Sequence, residues 1–286
     1  MPSSTSSSAQ QARQALAGQL RDIRLAAGLS GRELAVRARW HGGSKVSKIE
    51  HGTRPPSADD VRTWCRACAV PPERAEELLA EQRAVAGMWV TYQRLNRAGL
   101  HRAQQSVRPA FEQAALIRSY QPRIIPGLLQ TAAYTTVMLE VSRDRQGASR
   151  DDVPDAVAER TDRQRILTRA GHRFEFVIEE QVLRYRLCAT GILSGQLQHL
   201  REISRLAQVS LGIIPQRASR HRILPSEGFV MFDTGLVTVE LVSGVLSVTQ
   251  PREIAMYTTD FADLASIAVY GRAARQPISV ALEELG

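Results

Sequence analysis

The feature that most constrains the fold of this chain is a series of short helices near its N-terminus, two of which are joined by a glycine turn. Ser30, with Glu33 three positions later, has the pattern of a residue that caps a helix together with its reciprocal partner. The glycines at 42–43 form a break, and Ser44 begins the next helix. Gly52 then ends it, as glycine often does after a last helical turn. The pattern predicts two short helices around a tight turn.

Apolar residues recur in five predicted helices at the three- and four-residue spacing of a buried helix face. These positions are Leu16, Leu20, Ile23 and Ala27, then Leu34, Ala35 and Ala38, then Val46 and Ile49, then Val61, Trp64, Cys65 and Cys68, and finally Leu78, Leu79 and Val85. Helices in such close succession predict a compact all-α bundle over residues 11–85. A disordered, Ser-rich tail is expected before it at residues 1–10.

Positive charge is concentrated in the same part of the chain. The 286 residues have a formal net charge of +8. Residues 11–102 contain 16 Lys and Arg against 9 Asp and Glu, whereas residues 103–286 contain 21 against 20. A protein that binds DNA phosphates needs such a local excess of positive charge, because counterion release supplies most of the non-specific affinity for DNA. The alternative interpretation is an Arg-rich surface that serves solubility alone.

The order of these residues resembles the Xre-type, lambda-repressor-like helix-turn-helix domain over roughly residues 14–80. The matching segments are Gly28-Leu29-Ser30, Glu33-Leu34-Ala35 and Val46-Ser47-Lys48-Ile49-Glu50-x-Gly52-x-Arg54-x-Pro56-Ser57. In that family the third helix lies in the major groove of double-stranded DNA. The resemblance therefore implies a DNA-binding set made up of Gly43, Ser44, Lys45, Ser47, Lys48, Arg54 and Arg32.

The resemblance assigns these residues different roles. The base-facing positions are Gly43, Ser44 and Lys48, and the positions suited to phosphate are Lys45 and Arg54. A structural ion pair is implied between Arg24 and Glu50. The turn at 39–43 is one residue longer than the family pattern, which leaves the base-facing assignments open to a shift of one position. Two alternatives remain: the lysines are ordinary solvated charges, or the motif binds only protein.

The remaining two thirds of the chain predicts an α+β domain at residues 106–286, after a helical linker at residues 86–105. Short β-branched segments predict strands, and longer segments with a helical period predict helices. The predicted strands lie at 174–178, 209–214, 228–232, 237–241 and 246–248, and the predicted helices at 127–139, 157–170, 183–206 and 254–269. This order predicts a mostly antiparallel sheet.

Residues 106–284 resemble the uncharacterised companion domain found behind Xre-type helices in many actinobacterial regulators. The matching motifs include Ile125-Pro126-Gly127-Leu128-Leu129-Gln130-Thr131, Arg160-x-x-Arg163-Gln164 and Phe176-Val177-Ile178-Glu179-Glu180. The resemblance implies an antitoxin-like transcriptional regulator whose companion domain binds a small partner protein encoded nearby. A homodimer on a two-fold operator is expected. The alternative is that this domain senses a small-molecule effector.

No pattern in the sequence predicts an enzyme, a cofactor or a metal site. Structural zinc needs four ligands, and Cys188 is far in sequence from the Cys65-x-x-Cys68 pair, which lies on an apolar helix face. The adjacent carboxylates Glu179 and Glu180 point to opposite sides if they lie on a strand, so they are not expected to act together in acid–base catalysis. We therefore expect a protein without enzymatic activity.

The sequence also indicates a cellular location. No apolar segment reaches the length of a membrane span, and the first ten residues do not have the composition of a signal peptide. The three cysteines cannot form a disulfide framework. We expect a cytoplasmic protein that has no membrane partner.

Overall fold

The chain divides at Val90 into two units. The computed structural model describes residues 8–148 and 150–286. Its first unit is Met1–Val90 and its second is Thr91–Gly286. Residues 1–7 of the predicted tail lie outside the described residues, and residues 8–10 form the first turn of a helix.

Five α-helices make up the described part of the first unit. They are α1 (Ser8–Ala26), α2 (Gly31–Arg37), α3 (Ser44–Glu50), α4 (Ala58–Ala67) and α5 (Pro72–Met88). Ser30 caps α2, where its hydroxyl accepts from the backbone N–H of Glu33 at 3.2 Å and its own N–H donates to the Glu33 carboxylate at 2.7 Å. Ser57 and Asp60 repeat this arrangement at α4. The predicted cap at Ser30 is confirmed.

The predicted apolar faces meet in one core. Trp64 is fully buried at its centre, and its indole N–H donates to the carbonyl of Leu20 at 3.0 Å. The ring of Trp40 packs beside it, with centroids 6.0 Å apart. The buried members of the core are Leu16, Leu20, Leu29, Leu34, Ala35, Val46, Ile49, Val61, Trp64, Cys65, Leu78, Leu79 and Val85. Burial of this apolar surface is the main force that holds five short helices together.

The helices α1, α2 and α4 end in the same hydrogen-bond pattern, with Gly28, Arg39 and Ala69 at the left-handed position. After α1, Gly28 has φ 68°, and the N–H of Leu29 donates to the carbonyl of Arg24 at 3.2 Å. After α4, Ala69 has φ 53°, and the N–H of Val70 donates to the carbonyl of Cys65 at 2.9 Å. A left-handed conformation is unfavourable for alanine, whereas glycine adopts it freely.

Ala69→Gly is therefore expected to raise the free energy of unfolding by about 0.5–1 kcal/mol, since the relief of strain exceeds the additional chain entropy of glycine. Urea unfolding followed by tryptophan fluorescence measures the change. The matched control is Gly28→Ala, which introduces the same strain at an open position and is expected to destabilise by a similar amount. Equal stability of all three proteins would contradict the assigned backbone conformations.

The second unit combines a sheet with helices. Its strands, counting β1 at the boundary between the units, are β1 (Trp89–Thr91), β2 (Leu116–Gln121), β3 (Arg173–Glu179), β4 (Val209–Ile214), β5 (Phe229–Phe232), β6 (Leu236–Glu240) and β7 (Gly244–Val248). Its α-helices are α6 (Tyr92–Leu95), α7 (Leu100–Gln113), α8 (Ala132–Gln146), α9 (Val153–Arg163), α10 (Thr190–Ile203), α11 (Pro251–Ser266) and α12 (Gly271–Glu283). None of the helices in the described ranges is long and apolar enough to cross a membrane.

The sheet is mixed, with seven strands in the order β1-β7-β6-β5-β2-β3-β4. Antiparallel pairs join β2 to β5, β5 to β6 and β6 to β7. The pairs β2–β3 and β3–β4 are parallel, so the sheet is mostly antiparallel, as predicted, with a parallel part that the sequence did not reveal. Helices separate these strands along the chain, and such long crossover connections are what parallel neighbours require.

Several predicted elements differ from the observed ones. The predicted helix at 127–139 is a short 3-10 helix, Gly127–Leu129, followed by α8, which Thr131 caps. The predicted linker at 86–105 contains β1, α6 and the start of α7 instead of one helix. Two elements were not predicted: β2, which is paired on both sides, and α12.

Candidate nucleic-acid interface

Helix α3 has one buried face and one polar, exposed face. Val46 and Ile49 are 1% and 0% exposed and belong to the core of the first unit. Ser44, Ser47 and Lys48 are exposed on the other side. Hydroxyl and ammonium groups form hydrogen bonds with base edges in a major groove. The exposed face of α3 therefore has the chemistry of a groove-binding surface.

The start of α3 lies against the start of α2. A Cβ on Gly43 would be 3.6 Å from Cγ of Arg32 and 3.6 Å from the carbonyl oxygen of Gly31. This approach brings the exposed Arg32 beside the N-terminal end of α3. Arg54 is also exposed, at the opposite end, where its backbone N–H donates to the carbonyl of Lys48 at 3.0 Å. The exposed face of α3 is thus flanked at both ends by an arginine.

An ion pair fixes α3 against α1. Nε of Arg24 donates to one carboxylate oxygen of Glu50 at 2.5 Å, and Nη2 donates to the other at 3.0 Å. Nη1 of Arg24 donates to the carbonyl of Leu29 at 2.6 Å. The two side chains are 10% and 9% exposed. The hydrogen bond to Glu50 raises the pKa of Arg24 against the opposing effect of burial, so the guanidinium remains charged. Both predicted members of this pair face away from the exposed side of α3.

Lys45 has partners within the first unit. Its ammonium forms a salt bridge with Asp60, which caps α4, and lies 4.1 Å from the centroid of the Trp40 ring. Burial alone would raise the pKa of Asp60, but hydrogen bonds from Lys45 and Ser57 outweigh it and hold that pKa below its ordinary value of 3.8. The structure thus connects Lys45 to α4, although the sequence places it at a phosphate.

Three exposed residues beside α3 were not predicted as site residues. His51 Nδ1 lies 2.7 Å from the carbonyl oxygen of Ser47, and the hydroxyl of Thr53 donates to the carbonyl of Lys48 at 3.0 Å. Arg39, in the longer turn, has φ 54° and ends α2 in a left-handed conformation. The only signal in the sequence was their position next to the predicted helices.

The cysteines of the first unit belong to its interior. Cys65 is 3% exposed within the core, and Cys68 is partly buried beside it. Burial raises the pKa of both thiols, which disfavours the thiolate that binds zinc. Within the described ranges no group of three or more His, Cys, Asp or Glu side chains is arranged to hold a metal ion.

Two sequence motifs of the second unit meet in space. Gln164 of the Arg160-x-x-Arg163-Gln164 motif donates to the carbonyls of Gly127 at 3.2 Å and Gln130 at 2.6 Å. Arg160 Nη1 donates to the side-chain oxygen of Gln130 at 3.0 Å. Arg163 is 5% exposed and donates to Gln104 of α7 through Nη1 and Nη2 at 2.8 and 3.0 Å. These contacts fix the 3-10 turn against α9.

The adjacent carboxylates Glu179 and Glu180 have separate partners. Glu179 is 8% exposed, accepts from the hydroxyl of Tyr120 at 2.7 Å and forms a salt bridge with Arg220. Glu180 accepts from Arg184 at 2.8 Å and from the backbone N–H of Gln216 at 2.9 Å. Burial and the hydrogen bond to Glu179 raise the pKa of Tyr120. These contacts connect the ends of β2 and β3 to the segment that follows β4.

Comparisons with known proteins cover both units. A family model described as a helix-turn-helix domain matches residues 15–78, and one described as a domain of unknown function (DUF5753) matches residues 110–279. Among solved structures, TrmBL2, described as an archaeal chromatin protein with a novel mode of DNA binding, is 12% identical over 88% of this chain and 93% of its own, with a TM-score of 0.31. A likeness this low carries no argument. No curated protein matches the chain.

Proposed function

The chain belongs to the DUF5753 family and carries a helix-turn-helix domain, and from that premise we propose that it is a sequence-specific transcriptional regulator of the antitoxin-like, Xre type. Helix α3 binds the operator. The second unit mediates dimerisation and binds a small partner protein. The observation that carries the proposal is the exposed polar face of α3 on a helix whose opposite face is held by the core and by the Arg24–Glu50 pair.

Recognition of DNA by α3 divides into two kinds of contact. Ser44 and Lys48 contact base edges, and the lysine ammonium donates to O6 and N7 of a guanine, which discriminates by about 1–3 kcal/mol against another base. Arg32 and Arg54 bind phosphates on either side, which sets the register of the helix but carries no sequence information. Support comes from the exposure of all four side chains.

Lys45 has a positioning role in this proposal. Its salt bridge to Asp60 joins α3 to the start of α4, and its stacking on Trp40 holds the turn before α3. The turn carries one residue more than the Xre pattern, and these contacts fix where α3 begins. Gly43 has no side chain to offer to DNA. It lets the backbone at the start of α3 approach the start of α2 closely.

Lys45→Met is expected to lower the free energy of unfolding by about 1–2 kcal/mol, because a charged hydrogen bond to a buried carboxylate is lost. The salt dependence of DNA binding should not change. A phosphate contact at this lysine would instead lower the salt slope by about one, and that result would overturn the positioning role. Binding titrations at several salt concentrations, with a melting curve for each protein, make the measurement.

The same variant tests the pH dependence of stability. The pKa of Asp60 is lower in the folded state than its ordinary value of 3.8, so its stabilising effect is complete above pH 3.8 and is lost as pH falls through the folded-state pKa. Lys45→Met should make the acid side of the stability curve less steep. An unchanged slope on the acid side of the stability curve would show that the lowered pKa of Asp60 does not depend on Lys45.

The proposed roles of the second unit are supported by exposed apolar side chains. Val242 is 96% exposed in the turn between β6 and β7, Leu224 is 76% exposed, and Met256 of α11 is 71% exposed. A contiguous apolar patch marks a protein contact, so the proposal requires that these three side chains lie within one interface. Co-purification of the chain with the product of an adjacent small reading frame, and its mass in solution with and without that product, test both roles. A monomer that binds no such product would reject them.

The DNA-binding proposal itself is tested by titrating the full-length protein with operator and scrambled duplexes at several salt concentrations. Tighter binding to one sequence, with affinity that falls as salt rises, is expected. Binding that is independent of both salt and sequence would reject the proposal.

A further inference from the structure

A second concentration of positive charge lies at the beginning of the second unit. From Tyr92 to Phe111 the chain contains four arginines and no Asp or Glu. Residues 91–150 contain 9 Lys and Arg against 3 Asp and Glu, whereas residues 151–286 contain 15 against 17. The excess is therefore a local property of the first part of the second unit, which α6, α7 and α8 occupy.

The structure brings the end of α8 to this segment. Asn96, in the turn between α6 and α7, donates to the side-chain oxygen of Gln146 at 2.5 Å. Arg150, which follows α8, donates to the carbonyl of Ala98 in the same turn at 3.2 Å. Five exposed arginines thus belong to one region of the surface, which we call the α6–α8 cationic surface: Arg94, Arg97, Arg102, Arg145 and Arg150.

Three carboxylates near this surface are already bound. Asp152 accepts from two backbone N–H groups at the start of α7, both at 3.1 Å. Asp144 and Asp151 both pair with Arg143. In the part of the chain that the structure describes, none of the five arginines forms a salt bridge. Glu140 lies with Arg143 and Asp151, and Glu240 lies near Tyr92 of α6, so the positive character of the surface comes from the five exposed arginines that form no salt bridge in the described ranges.

We propose that the α6–α8 cationic surface binds the phosphate backbone of the duplex beside the operator. The inference rests on the proposed function of α3 and extends the DNA contact to the second unit. Exposed guanidinium groups match the geometry of phosphate oxygens, to which they donate two parallel hydrogen bonds. Only Trp89–Thr91 separate the last helix of the helix-turn-helix unit from α6. A duplex carries one negative charge per about 1.7 Å of its axis, which suits a row of such groups.

The test uses the full-length triple variant Arg94→Gln, Arg97→Gln and Arg102→Gln. Each phosphate contact contributes about 0.9 to the slope of log affinity against log salt, so the slope should fall by about 2–3 and the affinity at 0.1 M salt by about 10–100-fold. The ratio of affinities for operator and scrambled duplexes should stay the same, because phosphate contacts carry no sequence information. Fluorescence anisotropy at several salt concentrations measures both quantities.

The matched control removes three exposed arginines from elsewhere in the second unit, with Arg169→Gln, Arg252→Gln and Arg272→Gln. The formal charge of the two proteins is then equal, and only its position differs. A second variant, Arg94→Lys, Arg97→Lys and Arg102→Lys, should retain most of the slope because it retains the charges.

The outcomes separate this inference from the proposed function. If the wild-type protein binds the operator in a salt-dependent way and the triple variant has the slope of the control, the inference is wrong and the proposed function stands. If the wild-type protein binds no duplex, the proposed function fails and the inference fails with it. A melting temperature equal to that of the control shows that a lowered slope is not caused by unfolding.

Discussion

Glu50→Ala is expected to lower the free energy of unfolding of the first unit by about 3–5 kcal/mol, because it leaves the charge of Arg24 buried without its partner. A loss of this size is a large fraction of the total stability of a domain, about 5–15 kcal/mol. Trp40 and Trp64 pack in the core of this unit, so their fluorescence in urea, measured with Trp89 replaced by phenylalanine (Trp89→Phe) in every protein compared, reports its unfolding within the full-length chain. Affinity for DNA should fall with the folded fraction.

The control for Glu50→Ala is Asp59→Ala, which removes a carboxylate of the same unit from an exposed pair with Arg62. A pair so accessible to water contributes about 1 kcal/mol or less. The double variant Arg24→Met with Glu50→Leu removes both charges and should recover much of the lost stability. If Glu50→Ala and Asp59→Ala were equally stable, the Arg24–Glu50 pair would not hold α3 in place.

Lys48→Ala is expected to weaken operator binding by about 1–3 kcal/mol, or about 5–150-fold, because its ammonium donates to a base edge in the proposed complex. The preference for one base pair in the operator should relax, while affinity for scrambled duplex changes much less. Lys48 is exposed on α3, so the melting temperature should not change. Titrations against a set of operators, each with a single base pair substituted, identify the base pair that Lys48 contacts.

Arg83→Ala is the matched control for Lys48→Ala. It removes one positive charge from an exposed position on α5 of the same unit and touches no proposed contact. Its operator affinity should stay close to that of the wild-type protein. Two results would contradict the base contact of Lys48: equal losses on operator and scrambled duplexes, which indicate a phosphate contact, or no loss on either.

The helices of the first unit were largely predictable because their signals are local. Ser30 and Glu33 are three residues apart and cap α2 through contacts within one turn. The buried faces follow from apolar spacing, since residues three and four apart share one side of a helix. The exposed side of α3 follows from the same spacing.

The role of Lys45 was not predictable, because its partners come from elements that the spacing within α3 does not describe. Asp60 and Trp40 reach it only after α4 and the turn have packed against α3. The Arg24–Glu50 pair joins residues 26 positions apart, and only a family resemblance implied it. No local pattern contains such contacts.

In the sheet, too, local patterns predict the strands, whereas distant contacts decide how the strands pair. The alternation within β3 and the apolar run of β4 predict strands, but the direction of one strand against another depends on the path of the connections between them. The α6–α8 cationic surface is likewise a product of folding, since Arg145 and Arg150 lie far along the chain from Arg94.

By itself, the sequence determined where α2 and α3 begin, which faces of the helices in the first unit are buried and that an α+β region follows. These properties depend on interactions between residues a few positions apart. Only the tertiary structure decided the parallel half of the sheet, the partner of Lys45 and the grouping of the five arginines. Each of these depends on contacts between distant segments, whose energies exist only after the backbone has brought those segments together.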